Sequence, residues 1–195
     1  MKASTLQRIS AFFIDAIIVS IILALLTFWI PTSKKYDDTI KERNELIDKY
    51  LNEEIDMDEL YNEFIKENYI IDKETNLISL IEVILTLGYF GTFAFYYNGQ
   101  TLGKKMMNIK VVSDDEKDLS HLRFIGRTLI INNVLVSSIT VLLLFFIKQN
   151  QYASVIGVLG VFQWFITIIT LLFVLIRKDK RGLHDLIFKT KVVRV

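Results

Sequence analysis

Cysteine is absent from the 195 residues of this chain, and histidine occurs only twice. Without cysteine there are no disulfide bonds and no thiolate chemistry, so the sequence does not indicate a redox compartment. His121 and His184 lie far apart and form no spaced ligand set, so we expect no metal and no cofactor. HExxH, GxSxG and Walker-type glycine motifs are also missing. We therefore expect no catalytic residues and no enzyme activity.

Charge is nearly absent from four long apolar runs, although the whole chain carries 23 basic and 22 acidic residues. The runs cover residues 9–30, 77–97, 124–147 and 152–176, and their charged residues are Asp15, Glu82 and Arg127. A helix needs roughly 20 residues to cross the ~30 Å hydrocarbon core of a bilayer. A soluble α/β core rarely supplies four runs of this length. The sequence thus predicts an all-α membrane protein with four transmembrane helices in a lipid bilayer. The first run is too long for a signal peptide and carries Asp15, so we expect it to be retained.

Basic residues predict the orientation, because short loops rich in Lys and Arg stay in the cytoplasm. They cluster at the start of the chain, between the second and third runs, and in residues 177–195. If the helices alternate in direction, these three segments lie on one side, and both termini are cytoplasmic. The basic residues between the second and third runs are Lys104, Lys105, Lys110, Lys117 and Arg123. Orientation already explains the basic tail, so nothing indicates a nucleic-acid partner.

Residues 31–76 form an acidic insert between the first two runs, with fourteen acidic and seven basic residues. Apolar residues recur in it at helical spacing, which predicts two short amphipathic helices on the exterior side. We expect the break between them near residues 54–58. Two interpretations remain open: a solvated helical hairpin that rests on the bundle, or a docking surface for an external partner.

An internal repeat relates residues 101–112 to residues 182–193. In a gapless register Leu102 aligns with Leu183, and the Lys110–Val112 triplet aligns with Lys191, Val192 and Val193. The repeat predicts two helical hairpins in parallel orientation, related by an axis along the membrane normal. The β-prone tails, residues 108–112 and 190–195, are expected to pair as a small cytoplasmic ribbon under the bundle.

Asp15 lies about 9 Å into the first run by helix rise. A carboxylate at that depth costs roughly 2.5–3.5 kcal/mol on insertion scales, so we expect it to face the protein interior or to be protonated. In one interpretation Asp15 pairs with Arg8, Arg123 or Arg127 and fixes helix packing. In the other it accepts a proton or a cation as part of a pathway.

Further polar side chains in the runs suggest a polar track through the bundle. The candidates are Glu82, Asn132, Asn133 and Gln163. The repeat register places Glu82 opposite Gln163. The alternative is ordinary hydrogen bonding between helices, which contributes about 0.6 kcal/mol per bond on average.

Three segments together resemble the RDD family of bacterial membrane proteins. The first is Arg8, Ala11 and Asp15. The second is a motif loop similar to the family's Gly-Gln-Thr-Leu-Gly-Lys, here Gly99, Gln100, Thr101, Leu102, Gly103 and Lys104. The third is Arg181–Asp185 followed by Thr190, Val192 and Val193. The resemblance covers residues 1–195 as a single domain apart from the insert, and it implies a bacterial plasma-membrane location and a role in transport. Related domains also resemble assembly partners of other membrane proteins.

The family that the chain resembles is named for one arginine and two aspartates, which Arg8, Asp15 and Asp185 match. The resemblance suggests that these three residues form a functional charge cluster at the inner mouth of the bundle. Asp185 is expected to form a salt bridge with Lys104 or with Arg8. Two functions follow as hypotheses. The first is transport of a small ligand, or of a cation or proton, through the polar track. The alternative is a non-transporting adaptor or regulator of another membrane protein complex. Four helices enclose little space, so we expect a homo-oligomer or another membrane protein as partner.

Overall fold

A computed structural model describes residues 2–115 and 119–195 of the chain. Lys117, one of the basic residues used to predict orientation, lies outside these ranges. The protein is mostly helical, and three of its helical stretches are long and apolar enough to cross a membrane. They are α1 (Thr5–Thr27), the stretch Asn76–Tyr96, and α9 (Gln149–Ile176). Most of their large apolar side chains face outward, which is the pattern of a membrane protein rather than of a water-soluble bundle.

The third apolar run is not one straight helix. It forms α7 (His121–Ile131) and α8 (Val134–Leu143), which meet at an angle of 75°. The break falls at Asn132 and Asn133, and Asn133 has a left-handed backbone with φ of 57°. Asparagine tolerates this conformation better than most residues. The protein therefore has three helices that are long and apolar enough to cross a membrane, or four if the bent pair is counted as one span.

The second run is also irregular. It begins as α4 (Asn76–Thr86), continues as a π-helical segment (Leu87–Phe93) and ends as the short α5 (Ala94–Tyr96). A π-helical turn rotates the side chains that follow it relative to a continuous α-helix, and such turns are frequent at functional sites.

The acidic insert forms two helices of 18 residues each, α2 (Lys34–Leu51) and α3 (Met57–Glu74). The helices pack against each other through Arg43, whose Nε lies 3.0 Å from Glu67 Oε2 and whose Nη2 donates to Asn68 Oδ1. The hairpin rests on the start of α9, where Tyr69 packs edge-to-face on Tyr152. Tyr69 also donates a hydrogen bond to the carbonyl oxygen of Ile147. The predicted break near residues 54–58 lies at residues 52–56, with Asp56 as the N-cap of α3.

A two-stranded antiparallel sheet closes the opposite end of the bundle, which we call the sheet end. Strand β1 (Ile109–Ser113) follows α6 (Leu102–Met106), and β2 (Thr190–Arg194) follows α10 (Leu183–Ile187). The predicted pairing of the two tails is thus observed, with Val111 opposite Val192. Lys2 adds a bridge to Val193 on the outer edge of β2.

The internal repeat has matching backbone geometry. In both copies a five-residue helix is followed by a five-residue strand, displaced along the chain by the same number of residues. Asn108 and Lys189, which the repeat aligns, both have positive φ, 53° and 49°. Val111 and Val192 are also aligned by the repeat and lie directly opposite each other in the sheet. A local two-fold axis therefore passes between these two valines.

Candidate functional site

Asp15 is a buried carboxylate on α1 that accepts three hydrogen bonds from neutral donors. Tyr89 Oη donates to Oδ1 at 2.7 Å, and the backbone N–H of Gly103 donates to the same oxygen at 2.7 Å. The hydroxyl of Thr101 donates to Oδ2. The interpretation in which Asp15 pairs with Arg8, Arg123 or Arg127 is therefore wrong, because neutral donors from the motif loop and the π-helical segment contact both oxygens. The three hydrogen bonds join α1 to the π-helical segment and to the motif loop.

The π-helical segment positions Tyr89 for this contact. Tyr89 is buried and stacks on Phe93, with ring centroids 5.5 Å apart and planes 7° from parallel. Its hydroxyl also accepts a hydrogen bond from the backbone N–H of Leu102. Tyr89 thus bridges the second membrane-crossing stretch, the motif loop and α1. Sequence reasoning did not single out Tyr89, because its link to Asp15 spans most of the first half of the chain.

The first three residues of the motif loop, which lies between α5 and β1, each make a specific contact. Gly99 has φ of 85°, and a Cβ there would lie 2.1 Å from the carbonyl oxygen of Val111. The side-chain Nε2 of Gln100 donates to the carbonyl oxygen of Ile109 at 3.0 Å. Thr101 caps α6 at its N-terminus. These contacts fix the loop against β1.

Gly103 brings α6 against α1. A Cβ at this position would lie 2.3 Å from the carbonyl oxygen of Ala11 and 2.8 Å from the carboxylate of Asp15. Ala11 is itself buried and small, so both sides of the contact lack a bulky side chain. The alanine of the Arg8, Ala11, Asp15 pattern and the second glycine of the loop therefore form one packing site.

Asp185 is fully buried at the sheet end and lies between two guanidinium groups. Its Oδ2 is 3.3 Å from Arg8 Nη1, and its Oδ1 is 3.3 Å from Arg127 Nη2. The hydroxyl of Thr190 donates to Oδ1 at 2.9 Å. The salt bridge expected with either Lys104 or Arg8 is formed with Arg8, and Arg127 is a second partner. Burial raises the pKa of Asp185, but Arg127, His184 and Arg8 outweigh burial and hold this pKa well below its usual range.

Lys104 completes a cationic cluster around Asp185, and His184 lies within this cluster as an uncharged group. Burial lowers the pKa of His184, so its ring is neutral near pH 7. His184 Nε2 is 3.4 Å from Arg127 Nη2 and 3.5 Å from Asp185 Oδ2. Burial and the charge of Arg127 lower the pKa of Lys104 to about 8. The side chain of Lys104 retains some exposed surface, and its Nζ lies 5.8 Å from the ring centroid of Phe90.

These groups line one cavity of about 250 Å³ between α1, α7, α9 and the sheet. Its charged lining consists of Arg8, Asp15, Lys104 and Arg127. Five side-chain polar atoms of its lining are buried without a hydrogen-bond partner among the described residues: Arg8 Nε, Arg127 Nη1, Asn132 Nδ2, Thr170 Oγ1 and His184 Nδ1. Buried polar groups usually have partners, because leaving one unsatisfied costs about 1–3 kcal/mol. Most of the unpartnered buried side-chain polar atoms of the described residues therefore lie around this one cavity.

The residues expected to form a polar track are dispersed. Glu82 has an exposed side chain on α4. Asn132 lines the cavity, and Asn133 Oδ1 accepts a hydrogen bond from Thr167 at 3.3 Å. Gln163 lies on α9, one helical turn before Thr167. Among the described residues, the four candidates form no continuous track, and the buried polar groups gather around the cavity instead.

Sequence reasoning named Arg8, Asp15 and Asp185 but assigned Arg127 only to Asp15 and gave His184 no role. The structure joins Arg8 to Asp185 and places Asp15 in a separate hydrogen-bond group on the same cavity. The signal for Arg127 was available, because it is a charged residue within an apolar run. His184 carried no such signal.

Comparison with known proteins gives one match. The family model of the RDD family matches residues 2–189. No curated protein and no solved structure matches the chain significantly.

Proposed function

Because the chain belongs to the RDD family, we propose that this membrane protein takes a small ligand into the cavity at the sheet end and transfers it across the bilayer. The observation that supports the proposal is the group of five unpartnered polar atoms around one cavity. Single intramembrane polar groups often serve helix packing alone. A packing role, however, does not leave several of them without partners around the same space.

The cavity rather than the polar track is the basis of this proposal. Glu82 faces away from the protein interior, so a route for a cation or proton through Glu82 lacks its outer carboxylate. Near the cavity, three cations (Arg8, Lys104 and Arg127) face two carboxylates (Asp15 and Asp185). The resulting excess of positive charge disfavours a cation as ligand.

We further propose that the protein resides in a bacterial plasma membrane with its sheet end in the cytoplasm. The basic segments at the start of the chain and in the tail both lie at this end. Positive charge beside membrane-crossing helices favours the cytoplasmic side.

Flux into liposomes that contain only the purified full-length chain tests the transport proposal. The probes are protons followed with an internal pH dye, chloride followed with a quenched dye, and inorganic phosphate followed by isotope. We expect Arg127→Gln to abolish flux of at least one anion. Glu82→Gln is the matched control, since it removes a charge from an exposed position, and we expect it to leave flux unchanged. Loss of proton flux in Glu82→Gln instead would favour the polar track.

Absence of all three fluxes would overturn transport of these small ions and favour the adaptor function. One observation supports that alternative: Tyr152 is the one fully buried residue of α9, so most of this 28-residue helix faces lipid or another protein. An inert protein that co-purifies stoichiometrically with a second membrane protein, and separates from it when α9 is altered, would establish the adaptor role.

A further inference from the structure

The cavity opens sideways toward the bilayer between α1 and α9. Phe12 on α1 and Leu171 on α9 both line the cavity, yet 45% and 50% of their surfaces are exposed. A side chain that lines a cavity and is half exposed lies at its mouth. The two helices also make few contacts with each other. A ligand can therefore enter from the membrane without crossing the sheet.

The two ends of the cavity differ in chemistry. Arg8, Lys104 and His184 lie at the sheet end, where the first turn of α1 meets α6 and α10. Phe12, one helical turn further along α1 and so roughly 6 Å deeper, lies beside the mouth. Ile131, Leu171 and Val174 extend this apolar lining. The cavity thus has a cationic end at headgroup depth and an apolar side at acyl-chain depth.

The unpartnered atoms at the cationic end are mainly donors. Arg8 Nε and Arg127 Nη1 can only donate hydrogen bonds, since a guanidinium has no acceptor. Arg127 is 5% exposed and His184 is 2% exposed, so water replaces a missing partner poorly. Guanidinium groups match the geometry of phosphate oxygens and bind them strongly.

From these three observations we propose that the cavity binds an anionic phospholipid, with its phosphate on Arg127, Arg8 and Lys104 and one acyl chain between α1 and α9. This proposal rests on the proposed function, because both concern the same cavity, and it assigns the ligand to the lipid class. A cation-lined recess between helices at the cytoplasmic side is a favourable site for an anionic headgroup. The excess of one positive charge in the cluster matches one phosphodiester.

Native mass spectrometry of the full chain in neutral detergent provides the test. The probes are phosphatidylglycerol and phosphatidylcholine with identical acyl chains. We expect one phosphatidylglycerol per chain, bound at least about tenfold more tightly than phosphatidylcholine, a difference of roughly 1.4 kcal/mol. Arg127→Gln should remove this preference. Lys178→Gln, an exposed charge at the same end of the molecule, should change it less than about twofold.

Arg127→Gln removes a buried partner of Asp185 and can therefore unfold the protein. A second variant keeps the test valid in that case. Leu171→Trp enlarges an exposed apolar side chain at the mouth and alters no charge. We expect it to prevent lipid binding while the unfolding temperature stays unchanged. Equal binding of both lipids, or full binding to Leu171→Trp, would overturn the proposal.

Inorganic phosphate distinguishes a free anion from a lipid. If phosphate binds and passes into liposomes while phosphatidylglycerol does not bind, the lipid assignment fails and the proposed function stands. If phosphatidylglycerol binds with the expected selectivity but neither this lipid nor any of the three ions crosses the liposome bilayer, the lipid assignment stands and transport fails.

Discussion

The carboxylates of Asp15 and Asp185 are both buried near the sheet end, but their partners differ in charge. Asp15 accepts hydrogen bonds from Tyr89, Thr101 and the backbone of Gly103. Asp185 lies between Arg8 and Arg127. Removing one member of a buried ion pair leaves an uncompensated charge, whereas removing one of several neutral donors leaves the others in place. The two aspartates should therefore respond differently to substitution of their partners.

Asp15→Asn should lower the free energy of unfolding by about 2–4 kcal/mol. The amide lacks the carboxylate charge, and its NH2 group faces a group that donated a hydrogen bond to Asp15. Tyr89→Phe, which removes one of the three bonds, should cost about 1–2 kcal/mol. Thermal unfolding of the purified protein in detergent measures both. If Asp15 instead carries a proton or cation along a pathway, Asp15→Asn would abolish flux while leaving the unfolding temperature unchanged.

Anion binding at the cavity should depend on pH through Lys104. Its pKa, lowered to about 8 by burial and by Arg127, means that Lys104 loses its positive charge as the pH rises through 8. Binding of phosphatidylglycerol should therefore be constant below about pH 7 and weaken by up to about tenfold per pH unit above 8. The other charged groups around Lys104 are Arg8, Asp15, Arg127 and Asp185. Arginine stays protonated throughout, and the lowered pKa of Asp185 keeps its carboxylate ionised.

Affinity measured between pH 6.5 and 9.5 tests this dependence. The matched variant is Lys104→Arg, which keeps the charge and moves its titration beyond the range. A wild-type curve that is flat to pH 9.5, or a Lys104→Arg curve that falls with the wild type, would show that Lys104 does not contact the anion.

Among the elements, α6 is the short helix on which the site depends most. It has five residues, too few to be stable alone, so its position comes from contacts with α1 and β1. Gly103 provides one of these contacts, because a Cβ there would overlap Ala11 and Asp15 of α1. The repeat copy, α10, is anchored differently, through the ion pairs of Asp185 with α1 and α7.

Gly103→Ala should displace α6 from α1 and break the hydrogen bond from the Gly103 backbone to Asp15. We expect a loss of about 2–4 kcal/mol in the free energy of unfolding, the range for overpacking combined with a lost buried hydrogen bond. Gly157→Ala is the control, because a Cβ there meets no atom within 4 Å, and it should be neutral or stabilising by up to about 1 kcal/mol. Equal unfolding temperatures for the two variants would contradict the packing role of Gly103.

The sequence predicted the elements better than their bends. Apolar runs and charge patterns were enough to identify the membrane-crossing stretches and the insert helices, and the repeat predicted the pairing of β1 with β2. The bend at Asn133 was missed because hydropathy does not register backbone conformation. The two consecutive asparagines were an available signal, since Asn is enriched in left-handed conformations.

The site was less predictable than the fold, because it depends on contacts between distant residues. Asp15 and the motif loop were both recognised, but nothing in the sequence joins Asp15 to Tyr89 or Thr101. The partner of Asp185 was recognised in part, as Arg8, whereas Arg127 was assigned to the other aspartate. Which of several cations meets which carboxylate depends on helix rotation, and the π-helical segment and the bend at Asn133 both change that rotation.

At the scale of the whole molecule, the sheet end and the insert lie at opposite ends of the membrane-crossing helices. Their orientation can be tested directly, because the chain has no native cysteine. Asn52→Cys places a thiol between α2 and α3, and Lys178→Cys places one at the sheet end, both at exposed positions. In intact cells, a membrane-impermeant maleimide should label Asn52→Cys and spare Lys178→Cys. Labelling of both after lysis is the control, and the reverse pattern in intact cells would invert the orientation.

The strand pairing also sets the order of assembly during synthesis. Ala3 donates a backbone hydrogen bond to Val192, and Lys2 bridges to Val193. Residues 2 and 3 therefore have no strand partner until β2 is made, and β1 has no sheet partner until then either. The cavity floor, which includes Val111 and Val192, closes only after translation has passed the final membrane-crossing helix. A nascent chain arrested before β2 would lack this floor, so Arg8, Lys104 and Arg127 would lose part of their cover at the sheet end.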